Sequence, residues 1–175
     1  MRIKVVIWMA LWQTMMSCQV SMAQDSALHI KAAFIYKFCG YTTWPGQKFS
    51  NEYAPIRVGV VGHQRVVDEI QRVFAGKTIQ GRSLVVYKVD TESDLTALHL
   101  LYVNDSSQLD LFSFPALQQQ EPILTITEKR SLPELAIINF VPYQDYIRFE
   151  ISRTQAEKVG LEISSQLLSV ALAVK

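Results

Sequence analysis

Short apolar segments alternate with amphipathic segments through the middle of the chain. Ile56–Val61 (IRVGVV), residues 83–89 (SLVVYKV) and residues 98–103 (LHLLYV) are apolar runs of strand length. Between the first two, Gln64–Phe74 carries its apolar residues at helical spacing. Strands without a polar face are typical of a parallel sheet that helices cover on both sides. The pattern therefore predicts an α/β fold, a three-layer sandwich with a mainly parallel sheet and helices on both faces.

The flanking segments complete this predicted sheet and its covering helices. Residues 123–127 and 136–141 are two further apolar strands, and residues 146–151 (YIRFEI) follow after a short turn. Because this connection is so short, the last two strands are expected to pair as an antiparallel hairpin. Further helices are expected at residues 25–39, at residues 106–119, from residue 153 to a break at Gly160, and from about residue 164 to residue 174.

The first 23 residues have the layout of a secretory signal peptide. Arg2 and Lys4 make a positive start, residues 5–12 (VVIWMALW) form an unbroken apolar run, and residues 21–23 (SMA) offer small residues for a cleavage site. The run is shorter than the about 20 apolar residues that a transmembrane helix needs. We therefore expect cleavage near Ala23, a periplasmic location and a single domain over residues 24–175. A retained anchor and a lipoprotein processed at Cys18 are the alternatives.

The charge of the exported domain excludes one large class of partner. The chain has 17 basic and 16 acidic residues, and the leader contains two of the basic ones, which leaves a net charge near −1. A near-neutral domain lacks the basic surface that nucleic acids require, so no nucleic-acid partner is expected. Loss of the leader also removes Cys18 and leaves Cys39 without a partner for an internal disulfide. Burial as an inert thiol is the favoured interpretation of Cys39, over a reactive or intermolecular role.

Sequence patterns for catalysis and metal binding are not found in the chain. Residues 58–62 (VGVVG) join a strand to a helix but lack the further glycine of a dinucleotide site and the Gly-Lys-Ser/Thr of a P-loop. His29, His63 and His99 are not spaced as zinc ligands, and His99 is expected to be a hydrogen-bonded interior residue. No catalytic residue, metal site or cofactor is therefore predicted, and the chain is not expected to be an enzyme.

A small-molecule site remains open as an alternative. His63 follows a predicted strand end, and ligands in open α/β sheets bind beyond the carboxyl ends of the strands. With Gly62 and Asn104 it would line a cleft there. Arg82 and Arg148 would supply contacts to an anion, although surface ion pairs explain each arginine equally well. His63, Arg82 and Arg148 are accordingly the predicted ligand-binding residues.

Aromatic side chains in loops suggest a surface for a protein partner. Tyr41, Trp44 and Phe49 lie around a Pro-Gly turn, and Phe112 lies close to Pro115. Loop aromatics beside proline and glycine often form partner-binding surfaces. These four aromatic residues are the predicted partner-binding residues, while core packing is the favoured alternative for Trp44.

Taken together, several segments resemble the YfiR family of periplasmic regulators over nearly the whole exported domain. Each segment is short, but their order and spacing make the resemblance fairly specific. The segments are KAAFIYKF at 31–38 followed by Trp44 and Pro45, IRVGVVG at 56–62, GKTIQGRSLVV at 76–86, LLYV at 100–103, PILTIT at 122–127, INFV at 138–141, RFEI at 148–151, and Ala156, Gly160, Leu161 and SSQLL at 164–168.

The resemblance implies a non-catalytic periplasmic regulator that binds an inner-membrane sensor protein, expected to be a GGDEF diguanylate cyclase. Binding would repress the cyclase and so lower cyclic di-GMP and biofilm formation. The family also implies a homodimer. Residues 98 and 99 are Leu and His where the family commonly has a cysteine, so the family's disulfide bonds have no counterpart here. A periplasmic small-molecule sensor that acts on another membrane sensor, such as a histidine kinase, is the alternative function.

Overall fold

An eight-stranded sheet forms the centre of the protein. The computed structural model describes residues 25–90, 92–105, 115–128, 134–144 and 146–175. The predicted leader, Phe112 and most of the predicted helix at 106–119 lie outside the described residues. No helix in the described part of the chain combines the length and the apolar character that crossing a bilayer would require.

The element bounds agree with most of the apolar pattern. The helices are α1 (residues 25–40), α2 (Gln64–Phe74), α3 (Pro115–Gln118), α4 (Arg153–Lys158) and α5 (Ser165–Val170), with a 3-10 turn at Gly46–Lys48. The strands are β1 (Thr42–Thr43), β2 (Ile56–Val61), β3 (Thr78–Ile79), β4 (Arg82–Lys88), β5 (Leu100–Val103), β6 (Leu124–Glu128), β7 (Ile138–Tyr143), β8 (Tyr146–Ile151), β9 (Glu162–Ile163) and β10 (Ala173–Val174).

The main sheet has the strand order β10-β8-β7-β6-β5-β2-β4-β3. Strands β2, β4, β5, β6 and β7 run parallel to one another, and β8 returns antiparallel to β7. The predicted α/β fold, with a mainly parallel sheet and a hairpin after it, is confirmed. A separate two-stranded sheet pairs β1 with β9 and holds the segment after α1 against the C-terminal segment.

One face of the sheet packs against α1 and α2 in a large aromatic and aliphatic core. Phe38 of α1 is fully buried, and its ring lies 4.8 Å from that of Phe149 and 5.6 Å from that of Phe140. Ile70 of α2 is fully buried on the same side. The apolar stripes of both helices thus face the sheet, as their spacing predicts.

The opposite face carries a second, smaller core formed by Leu95, Leu98 and Ala116 of α3. Gly59 of β2 makes this packing possible. A Cβ atom at Gly59 would lie 2.4 Å from Leu98 Cδ1 and 2.8 Å from Val89 Cγ2. Among the described residues, the short helix α3 and the segment between β4 and β5 cover this side.

The C-terminal helix is shorter than predicted. The helical pattern from residue 164 to residue 174 was wrong over its last turn, because α5 ends at Val170 and β10 follows. The backbone N–H of Leu172 donates to Phe149 O at 2.8 Å, and that of Lys175 donates to Ile151 O at 2.9 Å. Pairing with the edge of β8 therefore overrides the local helical preference.

Candidate functional site

The strand order reverses between β2 and β5, at the carboxyl edge of the parallel strands. From β2 the chain crosses through α2 to β4 on one side, and then returns to β5 on the other side of β2. In open α/β sheets this is the position where ligands bind. Gly62 and His63 follow β2 there, and Asn104 follows β5. The predicted cleft residues Gly62, His63 and Asn104 therefore do lie at one place in the fold.

A buried carboxylate organises this edge. Glu128, at the end of β6, accepts a hydrogen bond from the Tyr102 hydroxyl and a second, at 3.0 Å, from Asn104 Nδ2. Its other oxygen lies 2.8 Å from Lys31 Nζ. The Glu128 side chain is 12% exposed, so these contacts are largely shielded from water. The network joins the ends of β5 and β6 to helix α1.

Backbone contacts hold the neighbouring strand end in the same network. The N–H of Asn104 donates to Val61 O at 2.9 Å. Glycine is needed at position 62, because a Cβ atom there would lie only 3.1 Å from Asn104 Cβ. The φ angle of Gly62 is also positive, at 156°, which residues with a side chain rarely adopt. Asn104 thus links the end of β2 to Glu128, and the carboxyl ends of three adjacent strands form one connected unit.

The chemistry of this network is that of a structural latch. Burial, followed by the adjacent Glu128 carboxylate, raises the pKa of Tyr102 well above that of a free phenol, so the hydroxyl remains a donor. Among the described residues, no group of three or more His, Cys, Asp or Glu side chains is placed to hold a metal ion. The Glu128 carboxylate is hydrogen-bonded by the Tyr102 hydroxyl, the Asn104 amide and the Lys31 ammonium. Because Lys31 belongs to α1, this network fixes the position of α1 relative to the sheet.

The opposite, amino edge of the sheet is closed by the segment between α1 and β2. Trp44 is 7% exposed, and its indole Nε1–H donates to His99 O at 2.8 Å. The Phe49 ring stacks on the His99 ring, with ring centroids 4.4 Å apart. The Arg82 guanidinium also packs on Phe49, 3.9 Å from the ring centroid. Arg82 also donates to Ala54 O at 2.8 Å. This stack fixes the conformation of the closing segment.

His99 lies in the interior, as its position in an apolar strand predicts. Its Nδ1 accepts the Arg57 backbone N–H at 3.1 Å, which places the proton of the neutral ring on Nε2. Burial, followed by repulsion from Lys48, lowers the pKa of His99 to about 4. The imidazole is therefore neutral at physiological pH and has a packing role.

The predicted partner-binding residues fall into different environments. Tyr41 and Phe49 lie within the closing segment and are half-buried, whereas Trp44 in the same segment is buried. Trp44 therefore packs in the core, which was the favoured alternative for this residue. Phe112 lies outside the described residues. Partner binding through Tyr41 and Phe49 stays a prediction.

The predicted ligand-binding residues do not share a site. His63 is exposed at the start of α2, beyond the carboxyl end of β2. Arg82 begins the parallel strand β4 and so lies at the amino edge, where it contacts Phe49. Arg148 lies on β8, on the far side of the sheet, near Val170 O at 3.5 Å. The three side chains therefore do not lie together around one anion site. Ligand binding by any one of them stays a prediction.

Sequence reasoning missed three of the residues that organise the carboxyl edge: Lys31, Tyr102 and Glu128. A signal for two of them was present, because Tyr102 and Glu128 are polar groups at the ends of apolar strands that precede loops. Lys31 carried no comparable signal, since its contact with Glu128 spans 97 positions of sequence.

Comparison with known protein families gives one match. A family model described as YfiR/HmsC-like matches residues 28–172, from the first turn of α1 to two residues beyond α5. The chain belongs to the YfiR/HmsC-like family. A comparison with curated proteins finds no match.

The YfiR/HmsC-like family comprises periplasmic regulators of cyclic di-GMP signalling, and a membrane sensor is the partner that the family suggests. It is a regulatory family rather than a catalytic one. The family resemblance inferred from the sequence segments is thereby confirmed.

Proposed function

We propose that this YfiR/HmsC-like protein binds the periplasmic portion of an inner-membrane GGDEF diguanylate cyclase and represses it. The family match over residues 28–172 carries the proposal, because it spans nearly the whole described domain. Repression lowers cyclic di-GMP and therefore biofilm formation. The protein acts as a binding partner and performs no chemistry on the cyclase.

Repression follows from a difference in affinity for two states of the cyclase. A protein that binds the inactive arrangement more tightly than the active one shifts the equilibrium towards the inactive one. Each tenfold preference is worth about 1.4 kcal/mol of shift. A rigid binding surface lowers the entropic cost of this association, and the stacked, hydrogen-bonded amino edge is rigid in this sense.

The proposed contact surface lies at the amino edge of the sheet. Tyr41 and Phe49 are half-buried there, and Arg82 packs on Phe49 at 3.9 Å. Tyrosine and arginine are enriched among the residues that dominate binding energy at protein interfaces. Trp44 supports this surface from below, since its ring lies 6.4 Å from Phe49 in an edge arrangement.

A deletion strain tests the function, and complementation tests the surface. Deletion in the native host is expected to raise intracellular cyclic di-GMP, and the wild-type gene is expected to restore the lower level. A Tyr41→Ala variant should repress less than the wild type at equal periplasmic abundance. Tyr146→Ala is the matched control, because Tyr146 is 69% exposed and lies in the β7–β8 hairpin, at the carboxyl edge of the sheet. Unchanged cyclic di-GMP on deletion would refute the function, whereas full repression by Tyr41→Ala would refute only the surface.

The identity of the partner is tested by cross-linking in the membrane fraction. A tagged protein cross-linked in intact cells is expected to recover a membrane protein with a periplasmic sensor region and a GGDEF domain. Recovery of a histidine kinase would support the alternative function and contradict repression of a cyclase.

Export and processing are part of the proposal. We expect the periplasmic protein to lack residues 1–23, which intact-mass spectrometry of the osmotic-shock fraction measures. A membrane-bound form that begins with lipidated Cys18 would establish the alternative processing. A full-length chain dissolved in the cytosol would contradict export.

A small-molecule sensor is the second candidate function, and the strand reversal beside Gly62, His63 and Asn104 favours it. A ligand at that edge would contact the hydrogen-bond network of Glu128, and it could thereby shift the position of α1 through Lys31. Thermal unfolding in the presence of individual periplasmic metabolites tests this candidate, because a specific ligand must raise the unfolding temperature. If a ligand stabilises the wild type and the Asn51→Ala variant but not the Asn104→Ala variant, its binding site lies at this edge.

A further inference from the structure

A cavity of about 330 Å³ opens at the amino edge of the sheet, between α3 and α4. It lies beside the amino ends of β6 and β7, which are parallel neighbours in the sheet. A volume of this size falls within the range of sites that bind small molecules. The cavity is separate from the strand reversal beside Gly62, His63 and Asn104, which lies at the carboxyl edge.

The floor of the cavity is mainly aliphatic. Ile123 and Ile137 come directly before β6 and β7, and both are buried. Leu117 of α3 and Val159, at the end of α4, are half-buried and line the walls. The hydroxyl of the buried Thr125 is already used, because it donates to Ile123 O at 3.3 Å. The floor therefore offers van der Waals contact to the C–H groups of a ligand.

Polar side chains with unused hydrogen-bonding groups surround this floor. Gln120, Glu134 and Lys158 are exposed, and Gln155 is half-buried. Within the described ranges of the chain, none of these four side chains has a hydrogen bond or an ion pair with another residue. The available groups are thus two amides, one carboxylate and one ammonium, and their formal charges cancel.

The backbone at Gln120 supports a role for its side chain. Its φ is 57°, in the left-handed region that favours glycine. Helix α3 ends there in a Schellman motif, in which the Gln120 N–H donates to Leu117 O at 3.4 Å and the Glu121 N–H donates to Ala116 O at 3.0 Å. Glycine is the usual residue at this position, and a side chain there adds strain. Strained residues of this kind cluster at ligand sites, and the Gln120 side chain lines the cavity.

These groups match the chemistry of a sugar. A glutamine amide presents a donor and an acceptor in one plane, so it can bond two neighbouring hydroxyl groups of one ring. Glu134 accepts hydrogen bonds from hydroxyl groups, and Lys158 donates to them. An anion would be repelled by Glu134 and by Glu121, which also lines the cavity and is only partly neutralised by Lys48 at 3.2 Å. A neutral, hydroxyl-rich ligand with apolar C–H groups is therefore the class that fits.

We propose that this cavity binds a neutral sugar of one or two rings. The ring lies on the aliphatic floor of Ile123 and Ile137, and its hydroxyl groups bond to Gln120 and Gln155. The site is formed by this chain alone, so it is independent of the proposed repression of a cyclase.

Isothermal titration calorimetry of the protein purified from the periplasm tests binding. The probes are D-glucose, D-galactose, N-acetyl-D-glucosamine and lactose, and at least one of them is expected to give a saturable heat with one site per chain. Calorimetry is preferred to thermal unfolding here, because concentrated sugars stabilise proteins by exclusion from their surface. L-Leucine and inorganic phosphate are the control ligands, and neither is expected to bind.

Two variants locate the site. Gln120→Gly removes the side chain at a position where glycine is favoured, so the unfolding temperature should stay equal or rise while the dissociation constant rises about fivefold or more. Gln155→Ala is expected to weaken binding to a similar extent. Gln119→Ala and Thr154→Ala are the matched controls, because both residues are exposed neighbours that do not line the cavity, and both variants should bind as the wild type does.

Four results would overturn the proposal. The first is that none of the four sugars gives a saturable heat, and the second is wild-type affinity in both Gln120→Gly and Gln155→Ala. The third is binding of L-leucine or phosphate in preference to the sugars, which would make the ligand a zwitterion or an anion. The fourth is sugar binding that Asn104→Ala abolishes and Gln155→Ala leaves intact, which would place the ligand at the carboxyl edge. Cyclic di-GMP in the deletion strain is measured separately, so failure of this site and failure of the proposed function are distinguishable.

Discussion

Lys31 Nζ lies 2.8 Å from Glu128 Oε2, and this ion pair joins helix α1 to the carboxyl end of a central strand. Glu128 is 12% exposed and Lys31 is 20% exposed, so water screens the pair much less than it screens a surface pair. Tyr102 and Asn104 donate to the other carboxylate oxygen. The pair is thus one part of a network that positions α1 against the strand reversal.

Removal of Glu128 is expected to destabilise the protein more than removal of Lys31. Glu128→Ala leaves a buried hydroxyl, an amide and an ammonium without their acceptor, at a cost of about 2–4 kcal/mol. Lys31→Met leaves the carboxylate with two donors and should cost about half as much. Urea unfolding measures both. Glu157→Ala, which breaks an exposed pair with Arg153, is the control and should change stability by less than about 1 kcal/mol. Equal losses for Glu128→Ala and the control would contradict a latch.

Stability is expected to fall as the pH is lowered from about 6.5 towards 4, because of His99. Burial lowers the pKa of His99 to about 4 in the folded state, whereas an exposed histidine titrates near 6.5. In this range the unfolded chain binds a proton that the folded chain excludes, so acid favours unfolding; above about 6.5 the contribution is constant. A pKa difference of this size lowers the free energy of unfolding by about 3 kcal/mol once the pH has fallen to about 4.

Urea unfolding at a series of pH values measures the His99 contribution. A His99→Gln variant should lose most of this pH dependence, while His63→Gln should retain it, because His63 is exposed. Identical pH profiles for the wild type and the His99 variant would assign the acid sensitivity to other groups.

A methyl group at Gly59 is expected to destabilise the second core. Its Cβ would lie 2.4 Å from Leu98 Cδ1 and 2.8 Å from Val89 Cγ2, so both side chains must move. Overpacking of this kind costs about 1–3 kcal/mol. Gly40→Ala is the control, since a Cβ at Gly40 meets nothing within 4 Å and lies at the end of α1. Thermal unfolding should separate the two variants, and an equal unfolding temperature would show that the second core is loosely packed.

The Cys39 thiol is expected to be unreactive in the folded protein. It is fully buried, and burial raises its pKa to about 12, so almost no thiolate is present at neutral pH. A chromogenic disulfide reagent should label the exported protein slowly in buffer and rapidly after addition of urea. Rapid labelling of one thiol without denaturant would mean either that Cys39 opens to solvent or that Cys18 is retained.

The apolar runs of the sequence predicted the main strands and their parallel arrangement. Continuous burial on both faces left only a parallel sheet as a stable solution, and β2, β5, β6 and β7 lie where those runs occur. Short elements such as β1, β9 and β10 were missed, because two residues are too few for a periodic signal. The helical pattern after residue 170 was misleading, since the edge of β8 offered Leu172 and Lys175 better hydrogen bonds.

The candidate site shows the same division between local pattern and long-range contact. The position of Gly62, His63 and Asn104 at the strand reversal followed from the order of strands and helices along the chain. The grouping of His63, Arg82 and Arg148 did not follow, because sequence alone does not state which edge or which lateral end of the sheet a residue occupies.

The amino-acid sequence by itself determined the α/β class, the core faces of the main helices and the family, because these depend on local periodicity and on the order of short segments. The tertiary structure alone decided that Trp44 donates to His99 O, that Lys31 meets Glu128 and that Arg82 packs on Phe49. Each of these depends on contacts between residues far apart in the chain. Such contacts are selected by the free energy of the whole packed domain, and no local pattern encodes them.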